Sequence, residues 1–208
     1  MEYLVTMTTN VPTGTPEKSV DEVRDREVER SRELAAQGFL LRLWRPPSEP
    51  GEWRTLGLFA AGGDGELEQV LSSMPLRVWR TDEVTPLSPH PHDPGLSDNS
   101  TERAQRAGTR EFLTTFDDTV PARTTRQAVE QTTAHEGGRA RELAEEGHLR
   151  RLWALPAEPE EVKTLGLWRA RDMFEMQKIM VSLPMELWLN IRTMPLTEHP
   201  NDPAIDDG

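Results

Sequence analysis

The chain has 208 residues, a formal net charge of −12, 35% hydrophobic and 29% charged residues, and no cysteine. That balance excludes a disulfide framework, thiolate chemistry and a Cys-ligated metal, and it speaks against a nucleic-acid partner, which needs a basic footprint. The opening MEYLVTMTTN has neither a basic start nor a long apolar run, and no later stretch approaches the roughly 18 apolar residues of a membrane span, so a cytoplasmic protein with small cores and no membrane partner is expected.

Residues 2–9 alternate like a strand. Thr15 is a plausible helix N-cap, Pro16 suits the first turn and Glu17 follows it. The helix runs to Gly38, a residue type that closes helices readily. Its inward stripe reads Val20, Val23, Glu27, Ser31 and Leu34 at steps of three and four, so a carboxylate sits where a leucine is expected. FLLRLWR (39–45) and WRTLGLFA (53–60) are short, β-rich strands joined by a Pro-rich loop. AGGDG at 61–65 is a turn, because no Gly-Lys-Ser/Thr follows to make a phosphate loop. Leu67, Val70, Leu71 and Met74 form a second amphipathic helix ended by Pro75. A last strand is expected at about 77–85, before a Pro-rich tail.

The chain is then written again. GFLLRLWRPPSEP at 38–50 returns as GHLRRLWALPAEP at 147–159, RTLGL at 54–58 as KTLGL at 163–167, and PLSPHPHDP at 86–94 as PLTEHPNDP at 195–203. Residues 2–94 align with 111–203 without a gap, and well over a third of the pairs are identical, so this is a tandem duplication. The polar GLSDNSTERAQRAG reads as a linker. Domains are expected at 1–94 and 111–208, with the linker at 95–110. Each copy has the order β-α-β-β-α-β of the ferredoxin-like unit. The expected α+β fold is two such domains paired, sheet on sheet, as a pseudo-dimer of the dimeric α/β barrel kind.

Both copies resemble the muconolactone isomerases over nearly their full length: the β-start followed by VP, the long helix carrying a Glu and ending in Gly, LW or LWR, the MPL-like stop and the C-terminal HP. The resemblance implies a ferredoxin-like fold, assembly into homo-oligomers, a small-molecule substrate, and movement of a ring double bond without metal or organic cofactor. The family's helix Glu matches Glu27 and Glu136; its LWR matches Leu43, Trp44 and Arg45, with Ala154 replacing the Arg in the second copy.

Such a reaction needs a base that removes a carbon-bound proton and returns it nearby, and a partly desolvated carboxylate suits both steps. Glu27 and Glu136 are therefore the candidate bases. The alternative is that Glu27 pairs with a buried arginine and only fixes packing. Strand alternation puts Arg42 on a face with Leu40 and Trp44; Arg42, and Arg151 in the copy, could stabilise a developing enolate oxygen or supply that structural partner. Arg45 is a candidate for substrate charge. Trp44 and Trp153, which recur with Trp79 and Trp188, are core or pocket walls. His90 and His199 sit in H-P-x-D-P, as loop hydrogen-bonders or site donors; Asn201 stands where the first copy has His92, so no metal set is expected. In the last strand Leu187, Leu189 and Ile191 of the copy stand where the first half has Val78, Arg80 and Asp82, and Gly137-Gly138, which weaken a helix, follow Glu136, so the first half is expected to be the better-preserved site. Rival functions are a tailoring isomerase or cyclase on an aromatic or polyketide intermediate, and a non-catalytic ligand-binding or oligomer-building protein.

Overall fold

A computed structural model describes residues 1–49, 51–96, 108–119, 121, 124–159 and 161–205. Of the expected linker, 97–107 lie outside the described residues. The fold is mixed α+β, with four α-helices and eight antiparallel strands among the described residues: β1 (Glu2–Thr9), α1 (Glu17–Ala36), β2 (Leu40–Arg45), β3 (Trp53–Ala60), α2 (Asp64–Ser72) and β4 (Arg80–Pro89), then β5 (Arg110–Asp118), α3 (Arg126–Glu145), β6 (Leu149–Ala154), β7 (Lys163–Ala170), α4 (Met173–Val181) and β8 (Leu189–Glu198).

The chain folds into two compact units whose borders do not follow the sequence repeat. One consists of Met1–Leu87 with Thr197–Gly208, the other of Ser88–Leu196. In the first unit the strand order is β4-β1-β3-β2, and β2 then pairs with the end of β8, Trp44 opposite Glu198 and Arg45 opposite Thr197. In the second the order is β8-β5-β7-β6, with Ser88 and Pro89 beside Ala154 and Trp153. Each unit thus contains the last residues of the other repeat's closing strand.

Alternation does the local work. Tyr3, Val5, Met7 and Thr9 on one face of β1 are all buried, and three of them join Leu34 of α1 and Leu67, Val70 and Leu71 of α2 in the first core. Phe112, Phe116, Leu143, Met176, Ile179 and Met180 build the second in the same way. Gly38 and Gly147 leave their helices at φ +78 and +81, the left-handed conformation that only glycine adopts cheaply.

Four local expectations change. Thr15 does not cap α1: Pro16 occupies that position without a side-chain cap, and the Thr15 hydroxyl donates to Pro12 O at 2.7 Å. Asp64, inside the expected turn, already begins α2 and accepts the Tyr3 hydroxyl at 2.9 Å. The last strand begins at Arg80, because Pro75–Trp79 winds into a 3-10 turn; Val78 is therefore exposed rather than level with Arg80 and Asp82, as is Leu187 in the copy. The pairing of β2 with β3 shifts register between Leu40 and Arg42, a bulge that breaks simple alternation. Leu40 and Leu43 consequently both enter the core, and Arg42 is half-buried away from them.

Candidate functional site

A cavity of about 550 Å³ opens in the first unit, between α1, the ends of β1–β3, the 3-10 turn and the tail after β8. Glu27 lines it from the middle of α1, and its side chain is only 9% exposed. Its Oε2 accepts the Leu76 backbone N–H at 2.8 Å, and its Oε1 accepts from Arg80 Nη1 at 3.2 Å. Burial raises the Glu27 pKa; the Leu76 N–H and the Arg80 charge pull it down, and Asp82 adds to the rise. The net result is a carboxylate more ready than usual to hold a proton.

The buried arginine that pairs with Glu27 is Arg80, and not Arg42, which the sequence offered either for that contact or for an enolate oxygen. It starts β4 opposite Thr9, with Asp82 two residues on, opposite Met7, and this face of β1 is the buried one. Arg80 Nε and Nη2 donate to the two Asp82 oxygens at 2.6 and 3.0 Å. Arg77 also donates to Asp82, and reaches Glu68 at 3.0 Å.

Arg42 does not line the cavity. Its guanidinium grips Asp202 through Nε at 3.2 Å and Nη2 at 3.0 Å, and it lies 4.7 Å from the centre of the Trp44 ring. Asp202, whose side chain is fully buried, also accepts the Leu43 N–H at 3.1 Å. The second unit repeats this clamp: Asp93 accepts from Arg151 Nε at 3.2 Å and from Leu152 N–H at 2.9 Å, and Arg151 lies 4.7 Å from the Trp153 ring. Trp44 and Trp153 are buried core residues at 1% and 2% exposure. The histidine and the aspartate of H-P-x-D-P both recur in the two copies, and it is the aspartate that the fold buries.

The Asp202 clamp sets His199 and Asn201 into the cavity wall. His199 Nδ1 accepts the Asn201 N–H at 3.1 Å, so the neutral ring carries its proton on Nε2 and can donate there. Burial, then the Arg45 charge, depress its pKa to about 4, against a smaller upward pull from Asp202. Arg45 is exposed and also lines the cavity, as do Arg24, stacked 4.6 Å above Trp53, and Arg54. Arg54 bonds Glu52, while its buried Nε–H has no hydrogen-bond partner among the described residues.

In the second unit Glu136 accepts the Met185 N–H at 2.9 Å, and burial, with the Asp118 charge, raises its pKa. Leu189 and Ile191 replace Arg80 and Asp82 there, Ala154 replaces Arg45, and Thr133 replaces Arg24. The His92 ring lies over Gly137: a Cβ on that glycine would meet the imidazole at 2.6 Å. His90, half-buried, accepts the His92 N–H at 3.2 Å, and its pKa is lowered by burial and by His92. Among the described residues no group of three or more His, Asp or Glu is placed to hold a metal ion, and no helix is long and apolar enough to cross a membrane.

A family model described as "Muconolactone delta-isomerase" matches this chain twice, at residues 1–93 and 110–202. The Muconolactone Delta-isomerase of Cupriavidus pinatubonensis is 34% identical over 91 residues, which is 44% of this chain and 96% of that protein. Muconolactone Delta-isomerase 1 of Acinetobacter lwoffii is 33% identical over 91 residues, 44% of this chain and 92% of its own length. Among solved structures, a mutant chlorite dismutase of Candidatus Nitrospira defluvii shares the fold over 96% of this chain and 92% of its own, with a TM-score of 0.59 at 12% identity.

Proposed function

The chain belongs to the muconolactone delta-isomerase family, which it carries in tandem, and from that premise we propose that it shifts a carbon–carbon double bond in a small unsaturated lactone, without a cofactor, with Glu27 as the base. The observation that carries this reading is a buried carboxylate that lines a cavity and has a raised pKa. Ionised Glu27 takes a proton from the saturated γ-carbon, which the double bond links to the lactone carbonyl. The electron pair moves through the double bond onto the carbonyl oxygen, giving a dienolate. Protonated Glu27 then returns the proton to the other end of the system, so the product is an isomer and the carboxylate is restored.

His199 Nε2–H suits the dienolate oxygen, since a neutral donor in a dry site gains as charge develops. Arg45 and Arg24, which both line the cavity, suit an anionic group on the substrate. Arg42 acts at one remove, by holding the tail that carries His199. The duplicated chain also supports reading 1–94 and 111–208 as ferredoxin-like domains that pair as a barrel-like pseudo-dimer, with copies assembling further into a homo-oligomer.

The test is proton transfer. An unsaturated lactone of the muconolactone type, deuterated at the carbon that loses its proton and incubated with the protein in H₂O, should isomerise with deuterium carried to the new C–H. Near-normal turnover in the Glu27→Gln, Glu136→Gln double variant would remove these carboxylates from the mechanism.

A further inference from the structure

We propose that Arg80 and Asp82 form a positioning pair for Glu27: Asp82 fixes the guanidinium, and the guanidinium holds the carboxylate at the cavity without itself binding substrate. The inference rests on the isomerase reading for its kinetic consequences, and on geometry for the rest.

A guanidinium has five N–H donors. In Arg80, Nε–H and one Nη2–H go to the two oxygens of Asp82 at 2.6 and 3.0 Å, and one Nη1–H goes to Glu27 at 3.2 Å. The remaining two face the Met74 sulfur at 3.7 Å from both Nη1 and Nη2, and Leu71 O at 3.5 Å. The Arg80 and Asp82 side chains are each 2% exposed. A cation so fully engaged has no strong donor left for an enolate oxygen, although it borders the cavity. What it can do is hold.

Charge decides how it holds. Asp82 lies closer to Arg80 than Glu27 does and binds through two oxygens, so the guanidinium is largely neutralised before it meets Glu27. Glu27 is therefore oriented by Arg80 without being locked as an anion, and it can take up a proton while the Arg80–Asp82 pair stays neutral. A bare guanidinium at the same place would hold the carboxylate ionised and make it a poor proton acceptor. Arg77 braces Asp82 from the 3-10 turn. The other charged or titratable groups on this cavity are Arg24 of α1, Arg45 of β2, Glu52, Arg54 of β3 and His199 of the tail.

The sequence offers its own control. At the matching positions the second repeat has Leu189 and Ile191, and its Glu136 keeps only the backbone half of the arrangement, through Met185 N–H. Replacing a buried ion pair by apolar residues of similar size is often neutral for folding, so the Arg80→Leu, Asp82→Ile variant should fold, as its melting curve will report.

The experiment follows the Glu27 carboxyl carbon by ¹³C NMR titration, assigned through Glu27→Gln, together with the pH profile of lactone isomerisation. Asp82→Asn frees the Arg80 charge, so Glu27 should titrate at lower pH and the acid limb of kcat/KM should move down with it. The double variant removes both charges; the larger effect is that of Arg80, so Glu27 should titrate at higher pH. In that variant kcat should fall about tenfold or more with KM unchanged within about twofold, the signature of a misplaced base rather than lost binding. A Glu27 titration that moves in neither variant overturns the proposal. Titrations that move as stated, in a protein that isomerises no lactone, uphold the positioning pair and defeat the isomerase reading.

Discussion

Glu27 and Glu136 occupy equivalent places in the two repeats and accept the same bond, from the backbone N–H of Leu76 at 2.8 Å and of Met185 at 2.9 Å. An inward glutamate that ties a long helix to the turn before the last strand is thus part of the fold in both. What differs is its surroundings. In the first unit Arg80, Asp82, Arg45 and His199, the last contributed by the second repeat, stand around the carboxylate or its cavity. In the second unit, Leu189, Ile191 and Ala154 take the matching places of the first three, the half-buried Asp118 adds a second carboxyl, and His92 covers the helix at Gly137. The backbone bond to the glutamate is present in duplicate, whereas its charged partners Arg80 and Asp82 are present once.

The sharpest way to break this comparison is to neutralise each glutamate alone. Glu27→Gln should lower turnover by about 10²–10⁴-fold, the usual contribution of a positioned base, whereas Glu136→Gln should change it by less than about twofold. Both should stay folded. Burial already disfavours the charged form of each, so losing the charge offsets the weakened contact, and Tm should move by only a few degrees. Equal losses from the two variants would mean two working centres.

Next in size are the two clamps, which are alike in geometry and unlike in consequence. Asp202→Asn and Asp93→Asn each break a buried carboxylate–arginine contact, at a cost of about 3 kcal/mol and a fall in Tm of roughly 6–12 °C. Only Asp202→Asn should also impair turnover, because its clamp seats His199 and Asn201 in the cavity wall. A thermal scan and a steady-state assay on both proteins separate the two effects; loss of activity in Asp93→Asn alone would reverse the assignment of the working half.

The strands, helices and duplication were legible because periodicity and repetition are local or self-comparing signals. The inward Glu27 and the Arg80/Leu189 contrast were legible too, but the pairing of Glu27 with Arg80 was not. It joins residues 53 apart, and its phase depended on where β4 begins, which the 3-10 turn displaced. Arg42 keeps Trp44 beside it, 4.7 Å from the ring, but parts from Leu40 for a similar reason: the bulge between Leu40 and Arg42 leaves no mark in the pattern LLRLW. The burial of Asp93 and Asp202 leaves no local mark, because a carboxylate in a Pro-rich tail reads as solvated until its strand partner is known.

A smaller effect concerns His199. Its folded pKa is about 4 against an ordinary 6.5, so between those values the unfolded chain binds the proton first. Stability therefore falls as the pH is lowered from about 6.5 to about 4, and this contribution is fully present above 6.5. The ring is partly open to solvent, which limits the effect to about 1–2 kcal/mol. His199→Gln should flatten that part of the stability–pH curve. Arg45→Ala, which copies Ala154 of the second repeat, should raise the His199 pKa toward its ordinary value in a ¹⁵N titration. An unshifted pKa in that variant would remove Arg45 from the reasons His199 stays neutral.

The smallest effect tests whether the second centre is covered. Gly137 and Gly138 both lie inside α3, where alanine is favoured over glycine by about 1 kcal/mol. At Gly138 an added Cβ meets nothing within 4 Å, so Gly138→Ala should stabilise by about 0.5–1 kcal/mol. At Gly137 the same methyl would meet the His92 ring at 2.6 and 2.8 Å from Cε1 and Nε2. That is the far end of an exposed side chain, so the ring can swing aside, but it gives up its seat on the helix. Gly137→Ala should therefore gain less than Gly138→Ala, and the difference should vanish when His92 is replaced by Asn, the residue at the matching position 201. Equal gains in the unaltered background would show that His92 does not rest on α3, and that the second centre is closed by Leu189 and Ile191 alone.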